Sequence, residues 1–118
     1  MKKKTIGKLK KELWKLTSEK IRREVGACQK CGDVQSLQVH HIIRRSRGNS
    51  VYFLRDNLIV LCRSCHFWWH NHASPKDETD LAIKILGKKR YNAIEEVKNT
   101  YLKYTRSDYE QMLEEFKC

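Results

Sequence analysis

The residues able to do chemistry crowd into one stretch. Between Cys28 and His72 lie Cys28-Gln29-Lys30-Cys31, His40-His41, Asn57, Cys62-Arg63-Ser64-Cys65-His66 and His70, with all five histidines and four of the five cysteines of the 118-residue chain. Two Cys-x-x-Cys pairs thirty residues apart are the layout of a tetrahedral zinc site built from two knuckles. Four thiolates saturate zinc and leave no position for water, so a metal held by Cys28, Cys31, Cys62 and Cys65 is expected to be structural. The histidines suit different work. His66 and His70, four apart, share one face of a helix. His40 and His41 are neighbours and on a strand point to opposite faces, so they cannot share a role.

Taken together, His40-His41-Ile42, Asn57 and Cys65-His66 with His70 resemble the HNH nucleases, whose core is a ββα-metal unit. His41 to Asn57 is sixteen residues, Asn57 to His66 nine and His66 to His70 four, close to the spacing in the bacterial colicin nucleases. The paired Cys-x-x-Cys elements resemble the zinc-bound subgroup common among phage and restriction nucleases. The likeness covers residues 28–72; beyond it, the C-terminal helices faintly resemble phage NinG-type recombination nucleases.

The resemblance implies a metal-dependent DNA endonuclease, phage-encoded, that nicks or cleaves duplex DNA and leaves a 5′-phosphate and a 3′-hydroxyl. Such cleavage needs an activated water and neutralised charge on the phosphate and on the departing oxygen, which a cation and a nearby base supply. His40, His66 and His70 are the expected cation ligands, with positions left for phosphate oxygens. His41 is the expected general base, because an unperturbed imidazole titrates near 6.5 and is largely neutral at physiological pH. The resemblance gives Asn57 a positioning role, its amide holding the loop backbone and so fixing the base. Arg44, Arg45 and Arg47 follow directly and are candidate phosphate contacts, since guanidinium groups match phosphate oxygens bidentately. Besides the structural Zn2+, one catalytic divalent cation is expected, Mg2+, Mn2+, Ni2+ or Zn2+. An all-imidazole site suits zinc or nickel by affinity, whereas phosphoryl chemistry often uses magnesium or manganese. His72 has no role in this scheme.

The elements that must position these groups read as an α+β fold, a ββα-metal core with zinc knuckles flanked by an N-terminal helix and C-terminal helices. Leu9, Leu13, Leu16 and Ile21 recur at helical spacing and predict an amphipathic helix over 8–24, ended by Gly26. Cys28 to Gly32 is a tight knuckle turn. Residues 37–43 read as a strand, 44–50 as a loop, and 58–61 as a short buried second strand with Asn57 at its start. A helix over 64–71 follows, with Phe67 and Trp69 directed to the core and Trp68 less readily placed. Ser74 and Pro75 start a helix that Gly87 ends, a second spans 88–103, and Ser107 with Glu110 reads as a capping box for a last one. The parts are then a basic N-terminal helix (1–27), a clamped core (28–72) and helical support (73–118), all within one nuclease domain.

Charge identifies the partner class. The net charge of +11 is uneven: residues 1–30 hold eleven Lys or Arg against three acids, residues 31–75 five against two, and residues 76–118 nine against nine. A field of that sign attracts polyanions, which points to nucleic acid, double-stranded DNA first, with phage packaging or recombination proteins as further partners. The basic helix lacks an aromatic apolar face for a membrane surface. No 7–15-residue apolar run follows the lysines, so neither a signal peptide nor a span is expected, and the chain should act in the cytoplasm. In that reducing compartment paired cysteines read as metal ligands, and Cys118 as a free thiol. The rival reading is a zinc-stabilised DNA-binding module without activity, which leaves the four clustered histidines and Asn57 without a purpose.

Overall fold

The computed structural model describes residues 4–44, 49–100 and 102–116. Arg45, Arg47, Gly48 and Cys118, together with Tyr101, lie outside them. Helix α1 (Ile6–Val25) is opened by Thr5, whose hydroxyl accepts from the Lys8 N–H at 3.2 Å. It is closed by Gly26, whose left-handed backbone (φ 72°) returns an N–H to the Arg22 carbonyl at 2.8 Å. A residue bearing a Cβ would be strained there.

Strands β1 (Leu37–His41) and β2 (Leu58–Cys62) form a two-stranded antiparallel sheet in which His40 pairs with Ile59 and His41 with Leu58. Every residue of β2 is buried. The cause is cover on both faces: Ile21 of α1 meets Leu58 and Val60, while Cys65 and Trp69 of helix α3 (Arg63–Asn71) join Ile59 and Leu61 on the other side. A strand sandwiched this way reads as an unbroken apolar run rather than an alternating one. Because residues opposite each other on a sheet share a face, His40 goes with Ile59 toward α3 and His41 with Leu58 toward α1. The α+β class and the strand-strand-helix core expected from the sequence are both present.

Between the strands, a short helix α2 (Asn49–Tyr52), which overlaps the end of the loop expected over 44–50, and a 3-10 turn (Arg55–Asn57) lead into β2. Helices α4 (Pro75–Leu86) and α5 (Lys88–Val97) follow, and α5 is tied back by an Arg90–Asp56 ion pair at 2.5 Å. The pair holds the Asp56 carboxyl below its usual range, chiefly through the guanidinium hydrogen bond. Helix α5 stops at Val97, short of the expected Lys103, where β-branched and turn-forming Asn99 and Thr100 weaken propagation.

The last helix, α6 (Arg106–Glu115), packs Tyr109 and Leu113 on Leu9 and Leu13 of α1. Its capping box is Thr105 with Asp108, not Ser107 with Glu110, which fall inside the helix. Both pairs satisfy the same spacing. Packing of Tyr109 and Leu113, one turn apart, on α1 goes with the start at Arg106.

Candidate metal centre and active site

The zinc knuckle is built by the backbone before any metal is considered. Gly32 at φ 84° lets the chain double back, its N–H bonding the Cys28 carbonyl at 2.9 Å, while the Cys31 N–H donates to Cys28 Sγ at 3.5 Å. Gln29, a residue whose part was not evident in the sequence, stitches the knuckle to the free edge of β2. Its N–H donates to the Val60 carbonyl at 2.8 Å, and its side-chain oxygen accepts from the Val60 N–H at 2.7 Å. The second pair is delivered by the end of β2 and the first turn of α3.

As a result the four sulfurs of Cys28, Cys31, Cys62 and Cys65 lie within 4.8 Å of one another, with Cys31 and Cys62 Sγ 3.6 Å apart. Tetrahedral zinc with ~2.3 Å bonds needs neighbouring sulfurs about 3.8 Å apart, so the donor set fits that ion. Burial alone would raise the Cys28 thiol, but backbone groups of Cys31, Cys62 and Lys30 outweigh it and bring it down to about 6. Burial, followed by the neighbouring thiols of Cys62, Cys28 and Cys31, pushes Cys65 well up. Thiolate character is thus favoured at Cys28, and metal ligation requires the thiolate form.

The histidines form the second cluster. The ligand nitrogens of His40, His66 and His70 lie within 4.8 Å of one another, and the Nε2 atoms of His66 and His70 are 3.1 Å apart. His40 is 3 % exposed, and its Nε2 has no hydrogen-bond partner among the described residues. A buried nitrogen left that way costs about 1–3 kcal/mol, a cost that coordination would remove. Burial, then the nearby His66, His70 and His41 rings, lowers His40 to about 3. Burial and His70 likewise lower His66. His40 is therefore neutral at physiological pH and His66 is biased the same way, as metal ligands must be. Those two features together fit a divalent cation at this point. The cluster grades from buried His40 through half-buried His66 to exposed His70, so its open side faces solvent along α3.

His41 stands apart on the other face of β1. Its Nε2 lies 3.0 Å from the Tyr52 carbonyl, and its ring stacks on Trp14 of α1 at 4.8 Å between centroids and 19° between planes. Asn57 is fully buried and grips both ends of the intervening segment. Its Oδ1 accepts from the Ile43 N–H at 2.7 Å, and its Nδ2 donates to the Ile43 and Val51 carbonyls at 3.0 Å each. Ile43 is two residues from His41, and Val51 precedes the residue whose carbonyl meets His41.

Arg44 is exposed at the rim of a cleft of about 340 Å³ that Trp69, in ring contact with His40, shares with Ile42, Tyr91, Glu95 and Lys98. Phe67, expected in the core, is 59 % exposed. The reason is angular. Cys65 and Trp69, one turn apart, take the buried face, and Phe67 lies about 200° round the helix from Cys65. Trp68 is half-buried beneath the Lys30 ammonium, 4.6 Å from its ring centroid. His72 is exposed at the end of α3, beside Phe67.

Residues 28–72 match the family described as HNH endonuclease. The match takes in both clusters, β1, β2 and α3, and it supports a nuclease-type function acting on nucleic acid. Neither a curated protein nor a solved structure matches the chain.

Proposed function

We propose that the HNH segment makes this chain a metal-dependent DNA endonuclease that hydrolyses phosphodiester bonds in duplex DNA, leaving a 5′-phosphate and a 3′-hydroxyl. The observation that carries the reading is the split of adjacent histidines across β1, with His40 grouped with His66 and His70 on one face and His41 against Tyr52 and Trp14 on the other. His40, His66 and His70 would hold a divalent cation, Mg2+, Mn2+, Ni2+ or Zn2+, while Cys28, Cys31, Cys62 and Cys65 would hold a structural Zn2+. When bound at the histidines, the cation supplies charge stabilisation to the phosphate and the leaving oxygen.

The base is His41. A carbonyl can only accept, so in the neutral ring Nε2 carries the proton shared with Tyr52, and Nδ1 holds the lone pair that takes a proton from the attacking water. Asn57 holds the backbone on both sides of that imidazole and is a positioning residue. Arg44 would contact phosphate, with Arg45 and Arg47 beside it in the sequence. The chain would work as one nuclease domain, with residues 1–27 as a basic helix against DNA, residues 28–72 as the core and residues 73–118 as support. A phage origin, a cytoplasmic setting and a task in packaging or in recombination-branch processing accord with the family likeness.

The direct test incubates supercoiled plasmid with the purified chain under EDTA, magnesium, manganese, nickel or zinc. Open-circular DNA should accumulate with at least one cation and not with EDTA. Binding without nicking under every condition would overturn the enzyme reading in favour of a zinc-stabilised DNA-binding module.

A further inference from the structure

Helix α1 lies outside the family match, yet it delivers two side chains to the setting of His41. Lys10 and Trp14, one turn apart, both grip the His41–Tyr52 unit. Trp14 stacks on the imidazole and meets the Tyr52 ring edge-on at 5.4 Å, while the Lys10 ammonium sits 4.2 Å from the centre of the same tyrosine ring. Resting on the reading of His41 as general base, we propose that Trp14 is a positioning residue for this reaction, the flat wall that sets the plane of the His41 ring.

The outer torsion of histidine is broad and roughly two-fold, and the contact from Nε2 to the Tyr52 carbonyl sets which nitrogen is protonated more firmly than it sets the plane of the ring. A parallel indole face at 4.8 Å sets that plane and fixes where the Nδ1 lone pair points. Tyr52 is constrained in turn by the edge contact from Trp14 and by Lys10 on its ring. Trp14 also borders the apolar cluster of Ile21, Leu58 and Val60, and filling that cluster is the competing explanation for it. A filler needs volume; a positioning wall needs a flat face. Leucine supplies the first without the second, and phenylalanine supplies both.

The test compares wild type, Trp14→Phe and Trp14→Leu in plasmid nicking, each assayed well below its own melting temperature. Trp14→Leu should lose on the order of 10- to 100-fold in kcat, the scale expected when a reacting group is misplaced by an ångström or less, with KM for DNA unchanged. Trp14→Phe should stay within about threefold of wild type, since it keeps a flat face over the ring. A Trp14→Leu variant as active as Trp14→Phe, or one altered in KM alone, overturns the proposal. A second readout is independent of cleavage. Imidazole NMR of the zinc-loaded chain should show His41 as a single Nε2-protonated tautomer in all three proteins, with sharp ring signals in wild type and Trp14→Phe and exchange-broadened ring signals in Trp14→Leu. If no cation supports nicking by wild type, the nuclease reading fails and takes the catalytic side of the proposal with it, whereas active wild type with a His41 ring as rigid in Trp14→Leu as in wild type would sink the role of Trp14 by itself.

Discussion

An asparagine with no exposed surface has to meet the hydrogen-bonding demands of its amide, and Asn57 does so with three bonds to main chain rather than to side chains. Each bond lands on residues next to the His41 setting, so the amide acts as a rivet across the ends of the segment between the strands. Asn57→Ala would leave the Ile43 N–H and the Ile43 and Val51 carbonyls without partners. Only the Val51 bond is fully buried and the two Ile43 bonds are part-buried, so with about 1–3 kcal/mol for a buried unpaired group and the low end for the other two, urea unfolding should register a loss of about 3–5 kcal/mol. Asn57→Asp keeps the acceptor but turns two donors into an oxygen facing two carbonyls, and it should be at least as damaging. An Asn57→Ala midpoint equal to wild type would show that the segment is held by other means. Spacing in the sequence marked Asn57 out, but only the fold shows which backbone groups it holds.

At the scale of elements, the knuckle joins α1 to the start of α3 through β2, and the cysteine cluster closes that joint. Gln29 continues the sheet edge toward Cys28, and Cys62 and Cys65 carry the other half of the cluster into α3. Cys31→Ser should therefore lower the melting temperature by on the order of 10 °C or more and release bound zinc, because ligand binding and folding are coupled in so small a core. A wild-type melt for this variant would remove the metal from the account of stability.

The same scale explains what could be read in advance. Cysteine and histidine ligands were legible because each pair is local, three or four residues apart, and local spacing survives folding. The two faces of β1 were legible because strand side chains alternate. Trp14 was not, since its partner lies 27 positions away and nothing in a lysine-rich helix signals a stacking contact. Phe67 and Trp69 were both assigned to the core although two steps on a helix separate them by about 200°, so only one could be buried. The cap of α6 was ambiguous because Thr105 with Asp108 and Ser107 with Glu110 obey one rule, and packing on Leu9 and Leu13 decides between them.

For the whole molecule, the division of labour follows the charge. The excess of positive charge lies before and within residues 28–72, while α4, α5 and α6 occupy the balanced third and brace the core, through Arg90–Asp56 in one case and the α1–α6 contact in another. Among the described residues no helix is long and apolar enough to cross a membrane. Basic α1 has two duties in this arrangement, turning lysines outward and Leu9, Leu13, Trp14 and Ile21 inward, so that the surface expected to meet DNA is rigidly joined to the base expected to act on it. The measurement that bears most directly on this division is the rate at which supercoiled plasmid becomes open-circular with wild type and with His41→Ala, under whichever cation is effective. A fall of about 100-fold or more in His41→Ala, with melting temperature, zinc content and DNA affinity unchanged, is the expected result; a His41→Ala variant that nicks as fast as wild type would contradict it.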